Sequence, residues 1–400
     1  MRVVIATTNS PYGELSYTRK TAGGAERGLR TYAEHAAVNH PVTYLSTAHT
    51  GFRPRSRFIS ERVSGVDVVH LAGPSIPVVQ PALASLRRRA WIDAVSAVCR
   101  DFEADVVVTY ATIPDTLAAV RAKRVNSGTK VVEWMAGRSW QLHLDRVPGD
   151  IDDIREAFAG KDLTLFESGA LEGYTREQLA RLGLPDLGAV ARVEFPSARN
   201  VTPAAAGAGE WPGARGPLVS CMATFKPGSK RQDLLIAAWP TVLERVGEAT
   251  LVLTGEGPLR QQMMRQAADL GVSEWVRFTG MLSWEDVGLL RSASTLTALP
   301  TEFEGRPQSI IESLSAGVPV VASDIPAVRE ALEPLGDVRE LCLCGNTASE
   351  FSDTITRLLC DEGSRMLVRD AISRLACKEP TESLRTIDAA LLSVLGGDGF

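Results

Sequence analysis

The sequence lacks the features that mark several large protein classes. Its six cysteines form no Cys-x-x-Cys pair and no Cys/His cluster, which argues against a zinc-finger framework and is typical of buried thiols in a reducing compartment. There is no basic excess, because 43 Lys and Arg stand against 48 Asp and Glu, so the composition excludes a general nucleic-acid-binding protein. No apolar run approaches the roughly 20 residues of a membrane-spanning helix.

The amino terminus shows no secretion signal. The chain opens on the strand-like run Met1-Arg-Val-Val-Ile-Ala, without a charged segment, a long apolar segment or a small-residue cleavage site. These absences predict a cytoplasmic protein with no nucleic-acid partner and no integral membrane association.

Alternating strand and helix patterns run through most of the 400 residues, which is too long a chain for one compact core. Short runs rich in β-branched residues predict strands buried on both faces of parallel sheets, at 2–6, 41–46, 66–72, 104–110, 129–134, 163–167, 191–195, 218–223, 250–253, 275–278, 295–299, 319–322 and 340–343. Helices are predicted at 24–38, 82–100, 171–182, 231–245, 259–270, 284–291, 308–316, 348–359 and 381–395. This alternation indicates an α/β fold with doubly wound sheets.

One segment interrupts the alternation. Residues 197–217 are rich in Gly, Pro and Ala and have no periodicity, so they predict a linker. We therefore expect two Rossmann-like domains, 1–200 and 201–378, facing each other across a cleft, and a final helical segment, 379–400, that packs back on the first domain. A small ligand is expected between the domains, at the carboxyl ends of the strands.

The densest chemical signal is the string Glu304-Gly-Arg-Pro-Gln-Ser-Ile-Ile-Glu312. It follows a predicted strand and enters a predicted helix, whose free N–H groups form a site for a pyrophosphate. Gly305 allows a phosphate to approach the backbone, and Pro307 suits a first helical turn. Glu304 and Glu312 flank this helix start, where a carboxylate can accept hydrogen bonds from a sugar diol.

This string resembles the Glu–seven residues–Glu signature of the family-four retaining glycosyltransferases, which have the GT-B fold. Neighbouring blocks match that family in order, starting at Lys230, Leu253 and Val276. The resemblance is dense over residues 218–332 and thin in the first half. There, Thr21-Ala-Gly-Gly24 resembles the family's glycine-rich loop after the first strand.

The resemblance implies roles for individual residues. Glu304 would lie against the donor sugar, Glu312 would bind the ribose and Lys230 would bind the diphosphate, with Lys230 and Glu304 as the catalytic pair. The implied donor-binding set is Gly23, Gly24, Lys226, Lys230, Arg231, Gly255, Met281, Glu304, Gly305, Arg306, Pro307, Gln308, Ser309 and Glu312.

Two positions depart from the family pattern. Phe225 stands where the family has a phosphate-binding arginine, and we expect Lys226 or Arg231 to substitute for it. The family's histidine after the strand at 129–134 is also missing, so Glu133, Arg138 and His143 are the predicted acceptor contacts.

No metal and no other cofactor is predicted. Asp150-Ile-Asp152 matches an Asp-x-Asp metal motif, but Asp150 is better interpreted as the cap of a helix whose positive end favours the acids that follow. Gly255-Glu-Gly257 has no third glycine, so a dehydrogenase is rejected. The basic run Arg87-Arg-Arg is interpreted as a solvated helix face, which favours a soluble acceptor over a membrane surface.

The sequence thus predicts a retaining, metal-independent glycosyltransferase that moves a sugar from a UDP- or GDP-linked donor to a small soluble acceptor, in natural-product or glycoconjugate biosynthesis. Two alternatives stay open. One is a nucleotide-sugar epimerase of the same architecture, and the other is a catalytically weak partner protein that binds nucleotide sugars.

Overall fold

The computed structural model describes residues 1–8, 24–49, 58–73, 84–110, 113–193, 211–375 and 380–396. The chain divides into two compact units, Met1–Arg199 together with Lys378–Phe400, and Asn200–Cys377. Most of the linker predicted at 197–217 lies outside the described residues, as does Gly23.

The first unit is built on an eight-stranded sheet in the order β3-β4-β2-β1-β5-β6-β7-β8. Its strands are β1 (Val3–Ala6), β2 (Val42–His49), β3 (Phe58–Val63), β4 (Val66–Gly73), β5 (Val106–Tyr110), β6 (Lys130–Met135), β7 (Leu163–Phe166) and β8 (Val190–Arg192). All neighbours pair in parallel except β3, which pairs antiparallel with β4.

Helices cover both faces of this sheet. They are α1 (Gly24–Ala36), α2 (Ala84–Asp101), α3 (Ile113–Lys123), α4 (Ser139–Arg146), α5 (Ile151–Gly160), α6 (Gly169–Arg181) and α14 (Pro380–Val394). Successive β1 residues face opposite sides, so Val3 and Ile5 join one core and Val4 and Ala6 the other. The first of these cores also contains Leu384, Ile387 and Leu391 of α14, and Tyr32 Oη of α1 donates to Asp388 Oδ1 at 3.0 Å.

The second unit has a six-stranded sheet, parallel throughout, in the order β11-β10-β9-β12-β13-β14. The strands are β9 (Leu218–Met222), β10 (Thr250–Thr254), β11 (Val276–Gly280), β12 (Leu296–Leu299), β13 (Val320–Ser323) and β14 (Leu343–Cys344). The helices are α7 (Gln232–Val246), α8 (Arg260–Asp269), α9 (Trp284–Ala293), α10 (Gln308–Ser315), α11 (Pro326–Leu332), α12 (Ala348–Cys360) and α13 (Glu362–Ser373).

The α/β prediction is confirmed, because each unit is a Rossmann-like layer of parallel strands between helices. The six strands of the second unit follow the doubly wound order, in which the chain starts in the middle and winds outward both ways. The winding direction reverses between β9 and β12. Ligands bind such sheets outside the carboxyl ends of the two strands at this switch point.

Some predicted elements need correction. The strand predicted at 340–343 is wrong in its first half, because Glu333–Leu341 is a 3₁₀ segment and β14 covers only Leu343–Cys344. Strand β3 and helices α3, α4, α11 and α13 are absent from the predicted elements. None of the helices in the described ranges is both long and apolar enough to span a membrane.

Candidate functional site

The loops that follow β9 and β12 meet at the switch point of the second sheet. Lys230 forms an antiparallel backbone bridge with Thr301. Glu302 N donates to Ser229 O at 2.8 Å, and Arg231 N donates to Pro300 O at 3.0 Å. The two loops are therefore joined to each other by backbone hydrogen bonds between Ser229–Arg231, at the end of the first loop, and Pro300–Glu302, directly after β12.

A buried polar network holds the second loop to the neighbouring strands. Thr301, which is fully buried, donates its N–H to Ser323 Oγ at 2.7 Å, and its carbonyl accepts from Asn346 Nδ2 at 3.0 Å. Ser323 Oγ in turn donates to Asn346 Oδ1 at 2.6 Å. Sequence analysis missed Ser323 and Asn346, because only the fold brings the ends of β13 and β14 to this loop.

Lys230 and Glu304 form an ion pair at this place. Their side chains are 20 % and 10 % exposed, so the pair lies at the surface of the unit and is partly screened from water. The site therefore joins the cation and the carboxylate that the sequence predicted separately. An ammonium in this setting can neutralise phosphate charge, and an adjacent carboxylate can accept hydroxyl hydrogen bonds.

Helix α10 begins beside this pair. Pro307 occupies its N-cap position and makes no side-chain capping bond. In the first turn, Gln308 N donates to Arg306 O at 2.9 Å and Ile310 N donates to Pro307 O at 3.0 Å. Gln308 follows, and both polar atoms of its amide are buried without a hydrogen-bond partner among the described residues. A buried unpartnered amide is costly, and a bound ligand or a water molecule could supply the missing partners. Gly305 is buried, whereas Arg306 and Ser309 are half-buried.

Glu312 lies one turn into α10. Its carboxylate pairs with Arg291 in the last turn of α9, and their side chains are 14 % and 3 % exposed. Burial lowers the pKa of Arg291, and the neighbouring Glu312 opposes that shift. The sequence predicted Glu312 and missed Arg291, since nothing in the spacing of α9 and α10 shows which side chains will meet.

Phe225 is part of the core and does not face the site. It is fully buried and packs against Phe278 with ring centroids 6.0 Å apart. Its N–H donates to Glu256 O and its carbonyl accepts from Leu259 N, both at 3.1 Å. A buried phenylalanine cannot replace a phosphate-binding arginine, so a phosphate contact at this place would have to come from a neighbouring cation.

The two predicted substitutes differ in how strongly they are engaged. Arg231 pairs with Asp233 at 2.8 Å and with Glu302 at 2.6 Å, and hydrogen bonds to these carboxylates raise its pKa. Lys226 is exposed and pairs with no acid in the part of the chain that the structure describes. Of the two, Lys226 is the cation available to an added phosphate.

Two glycines shape the adjoining loop after β10. Gly255 and Gly257 adopt φ of +113° and +156°, and a Cβ on either would lie 2.5 Å or 2.3 Å from the carbonyl oxygen of Ala223 or Phe225. Only glycine allows this loop to lie against the loop after β9. Met281, just after β11, is 48 % exposed.

Of the predicted acceptor residues, Glu133 lies on β6, whereas Arg138 and His143 belong to α4 and its N-cap. Gly24 is the first residue of α1. Glu133 is 1 % exposed, pairs with the fully buried Lys161 and accepts from Thr116 Oγ1 at 3.2 Å. A carboxylate so enclosed cannot reach a molecule bound at the surface, so we do not carry the acceptor role of Glu133 forward.

His143 and Arg138 lie on α4 and at its N-cap. His143 Nε2 lies 2.7 Å from Asp150 Oδ2, and Asp150 also pairs with Arg88 at 2.6 Å. Asp150 occupies the N-cap position of α5 without making a side-chain capping bond, because its carboxylate is engaged by Arg88 and His143. The described ranges contain no group of three or more His, Cys, Asp or Glu that could hold a metal ion.

Comparison with known proteins shows which family this part of the chain resembles. Residues 216–361 match the family described as glycosyl transferases group 1. A GDP-mannose-dependent alpha-(1-6)-phosphatidylinositol monomannoside mannosyltransferase of Mycobacterium tuberculosis is 28 % identical over 36 % of this chain and 39 % of its own length. A D-inositol 3-phosphate glycosyltransferase of Salinispora arenicola is 27 % identical over 63 % of this chain and 51 % of its own length. The chain thus spans about half or less of these curated relatives.

Solved structures match over the whole chain. A sucrose-phosphate synthase from Thermosynechococcus elongatus superposes with a TM-score of 0.74 at 15 % identity, covering 99 % of both chains. The Anabaena protein HepE in complex with UDP-glucose superposes with a TM-score of 0.69 at 16 % identity, also covering 99 % of both. At such identities the superpositions establish the fold alone.

Proposed function

We propose that this chain, whose residues 216–361 match the group 1 glycosyltransferases and which has the GT-B fold, is a glycosyltransferase of that group. It would transfer a sugar from a nucleoside diphosphate sugar to a small soluble acceptor. The observation that carries the proposal is the Lys230–Glu304 pair beside the start of α10, at the switch point of the second sheet. This is where doubly wound sheets bind nucleotides.

The chemistry of the site suits a sugar diphosphate. The diphosphate would lie at the N-terminus of α10, where backbone N–H groups and the helix dipole favour an anion. Lys230 would neutralise the charge that develops on the leaving phosphate, and Lys226 would supply the second cation. Glu304 would accept hydrogen bonds from the sugar hydroxyls, and Glu312 would accept them from the ribose.

The donor is proposed to be UDP- or GDP-linked. The M. tuberculosis relative is named as GDP-mannose-dependent, and the Anabaena protein was solved with UDP-glucose. Both donors present the same diphosphate and ribose, which are the parts that the residues of the site are suited to bind. The UDP- and GDP-linked donors therefore belong to one proposal, and binding measurements decide which nucleobase the site accepts.

The transfer is proposed to retain the configuration of the anomeric carbon without a metal ion or a further cofactor. The bond from that carbon to the leaving phosphate oxygen breaks, and a bond to the acceptor oxygen forms on the same face. The cationic groups placed to bind the phosphates are protein side chains, chiefly Lys230 and Lys226. No protein side chain is assigned as base.

The acceptor is proposed to be small and soluble. Within the basic run at 87–89, Arg88 pairs with Asp150 and with Asp153 at 2.6 Å and 2.5 Å, whereas Arg89 is exposed. Because Arg88 is already paired with two acids, this helix offers less cationic surface to an anionic membrane than its run of three arginines suggests.

The full-length protein would be tested with UDP-, GDP- and dTDP-sugars by thermal shift, and hits followed by nucleotide release with and without EDTA. We expect a raised Tm with UDP- or GDP-sugars, nucleotide release that accelerates with acceptor, EDTA insensitivity and a product anomer matching the donor. Lys230→Met should lower turnover about 10²–10³-fold, whereas Arg245→Met, which breaks an exposed pair with Asp353, should leave it unchanged. Conversion of the sugar without any acceptor would identify an epimerase, and binding without turnover would identify a partner protein.

A further inference from the structure

The Arg291–Glu312 pair is unusual among the ion pairs of the second unit because both side chains are largely withdrawn from water. Arg291 is 2 % exposed and lies in the last turn of α9, on a different helix from the candidate site. Its Nε is buried and has no hydrogen-bond partner among the described residues. The guanidinium therefore has Glu312 as its ionic partner in the region described.

Burying such a pair has a cost that its attraction does not always offset. Replacing buried ion pairs by apolar residues of similar volume is often neutral or stabilising, so stability alone is a weak reason for this arrangement. Glu312 is the more exposed member and lies one turn from the start of α10. The pair thus runs from the packed interior of the unit to the edge of the site.

The pair also limits where the carboxylate can lie. A lone glutamate on a helix surface samples several rotamers, and a site that must meet two adjacent hydroxyls needs one of them. Arg291 donates to Glu312 Oε2, and a carboxylate with about four lone-pair positions can accept further hydrogen bonds beside that one. A planar, permanently charged donor anchored in the packed interior suits this task better than a flexible lysine.

We propose that Arg291 is a positioning residue that fixes the Glu312 carboxylate to receive the two hydroxyls of the donor ribose, and so sets a preference for ribonucleotide over deoxyribonucleotide donors. This inference rests on the proposed function, which gives Glu312 the ribose. It adds a residue that never touches the nucleotide. It also adds a property, the discrimination against a 2′-deoxy sugar, that a purely structural contact between α9 and α10 would not produce.

The test measures binding of UDP and 2′-deoxyUDP, and of GDP and 2′-deoxyGDP, to the full chain by calorimetry. The wild type should bind the better ribonucleotide about tenfold or more tightly than its deoxy form, as sites built to bond a hydroxyl reject analogues that lack it. Glu312→Gln should reduce that ratio to near one. Arg291→Met should do the same by weakening ribonucleotide binding while leaving deoxynucleotide binding within about twofold, and Arg291→Lys should give an intermediate ratio.

The double variant Arg291→Met/Glu312→Gln shows whether Arg291 and Glu312 act on the ribonucleotide preference together or independently. If Arg291 acts through Glu312, the double variant should show the same ratio as Glu312→Gln alone. In turnover assays, Arg291→Met should raise KM for the donor with kcat changed by less than about threefold. Arg245→Met, which removes an exposed arginine of the same unit, should leave the ratio unchanged.

The outcomes are distinguishable. Equal weakening of ribo- and deoxynucleotide binding by Arg291→Met, with the ratio intact, would reduce Arg291 to a structural contact and overturn the proposal. If Arg291→Met does not fold, an intermediate ratio in Arg291→Lys together with a lost ratio in Glu312→Gln supports Arg291 as the positioning residue, and a wild-type ratio in Arg291→Lys overturns the proposal. Absence of nucleotide binding in the wild type would instead contradict the proposed function itself.

Discussion

Replacing Glu133 by glutamine should destabilise the first unit by about 3–5 kcal/mol, because it leaves the Lys161 ammonium in the core without its counterion. Lys161 is fully buried, and burial lowers its pKa from the ordinary 10.5 while Glu133 opposes that shift. In the variant, the folded state of lowest free energy is the one in which Lys161 is neutral. At pH 7, removing that proton costs about 4.8 kcal/mol, which sets the upper limit of the loss.

The same reasoning gives the pH dependence a sign. In the variant, the unfolded chain holds a proton on Lys161 that the folded chain lacks, so stability rises as the pH rises towards 10.5. Between pH 7 and pH 9 the variant should regain about 2.7 kcal/mol relative to the wild type. Replacing both residues, as Glu133→Met/Lys161→Met, removes the unpaired charge and should recover most of the loss.

Urea unfolding read by hydrogen exchange of peptides from α3 and β6 isolates the first unit from the second. Glu103→Gln serves as the control, since it breaks an exposed pair with Arg2 and should leave the stability essentially unchanged. A loss below about 1 kcal/mol for Glu133→Gln, or one that does not change with pH, would refute the reasoning. It would also return Glu133 to consideration as a residue that contacts the acceptor.

Further predictions concern the site and the surface. Lys230→Met should lower kcat about 10²–10³-fold. The guanidinium of Arg231 is already held by Asp233 and Glu302, so Arg231→Met should change kcat less than about fivefold. Nucleotide release measures kcat for both variants. Gly255→Ala should lower stability by about 2 kcal/mol or more, since its Cβ would meet a carbonyl oxygen at 2.5 Å, a loss that chemical denaturation would detect. Arg121 holds the pKa of Glu156 below its ordinary value of 4.5. The Arg121–Glu156 pair therefore stabilises the fold above pH 4.5, and this stabilisation is lost as the pH falls. Acid titration of Arg121→Met should show a weaker acid-side loss than the wild type does.

The parallel sheets could be predicted because their strands are buried on both faces and appear in the sequence as continuous apolar runs. The candidate site followed for the same reason, since loops after such strands gather at one edge of a sheet. Glu304, Lys230 and Gln308 all lie in loops or at a helix start of this kind. Their proximity is a property of the topology.

The missed elements lack that signal. Strand β3 is an antiparallel edge strand with exposed polar positions, so its Ser60-Glu-Arg62 interior hides the apolar pattern. Helix α3 is buried along almost its whole length, and without a polar face it shows no helical periodicity. Strand β14 pairs through only two residues, Leu343 and Cys344, which is too short for any pattern.

The missed and misassigned residues of the site have a different cause. Arg291 and Lys161 act through partners on other helices and strands, Glu312 and Glu133. A sequence shows the charge of such a residue but not which acid it will meet, nor whether the pair is buried. Phe225 is the opposite case. Its place in the motif suggested a lost phosphate contact, whereas its burial shows that it is a core residue.

The central claim, that the loops after β9 and β12 bind a nucleoside diphosphate, is tested most directly by titrating UDP and GDP into the wild type and into Lys230→Met by calorimetry. The account predicts binding of at least one of them at one site per chain, weakened about tenfold or more in Lys230→Met and unchanged in Arg245→Met. Binding of equal strength to wild type and Lys230→Met would contradict it.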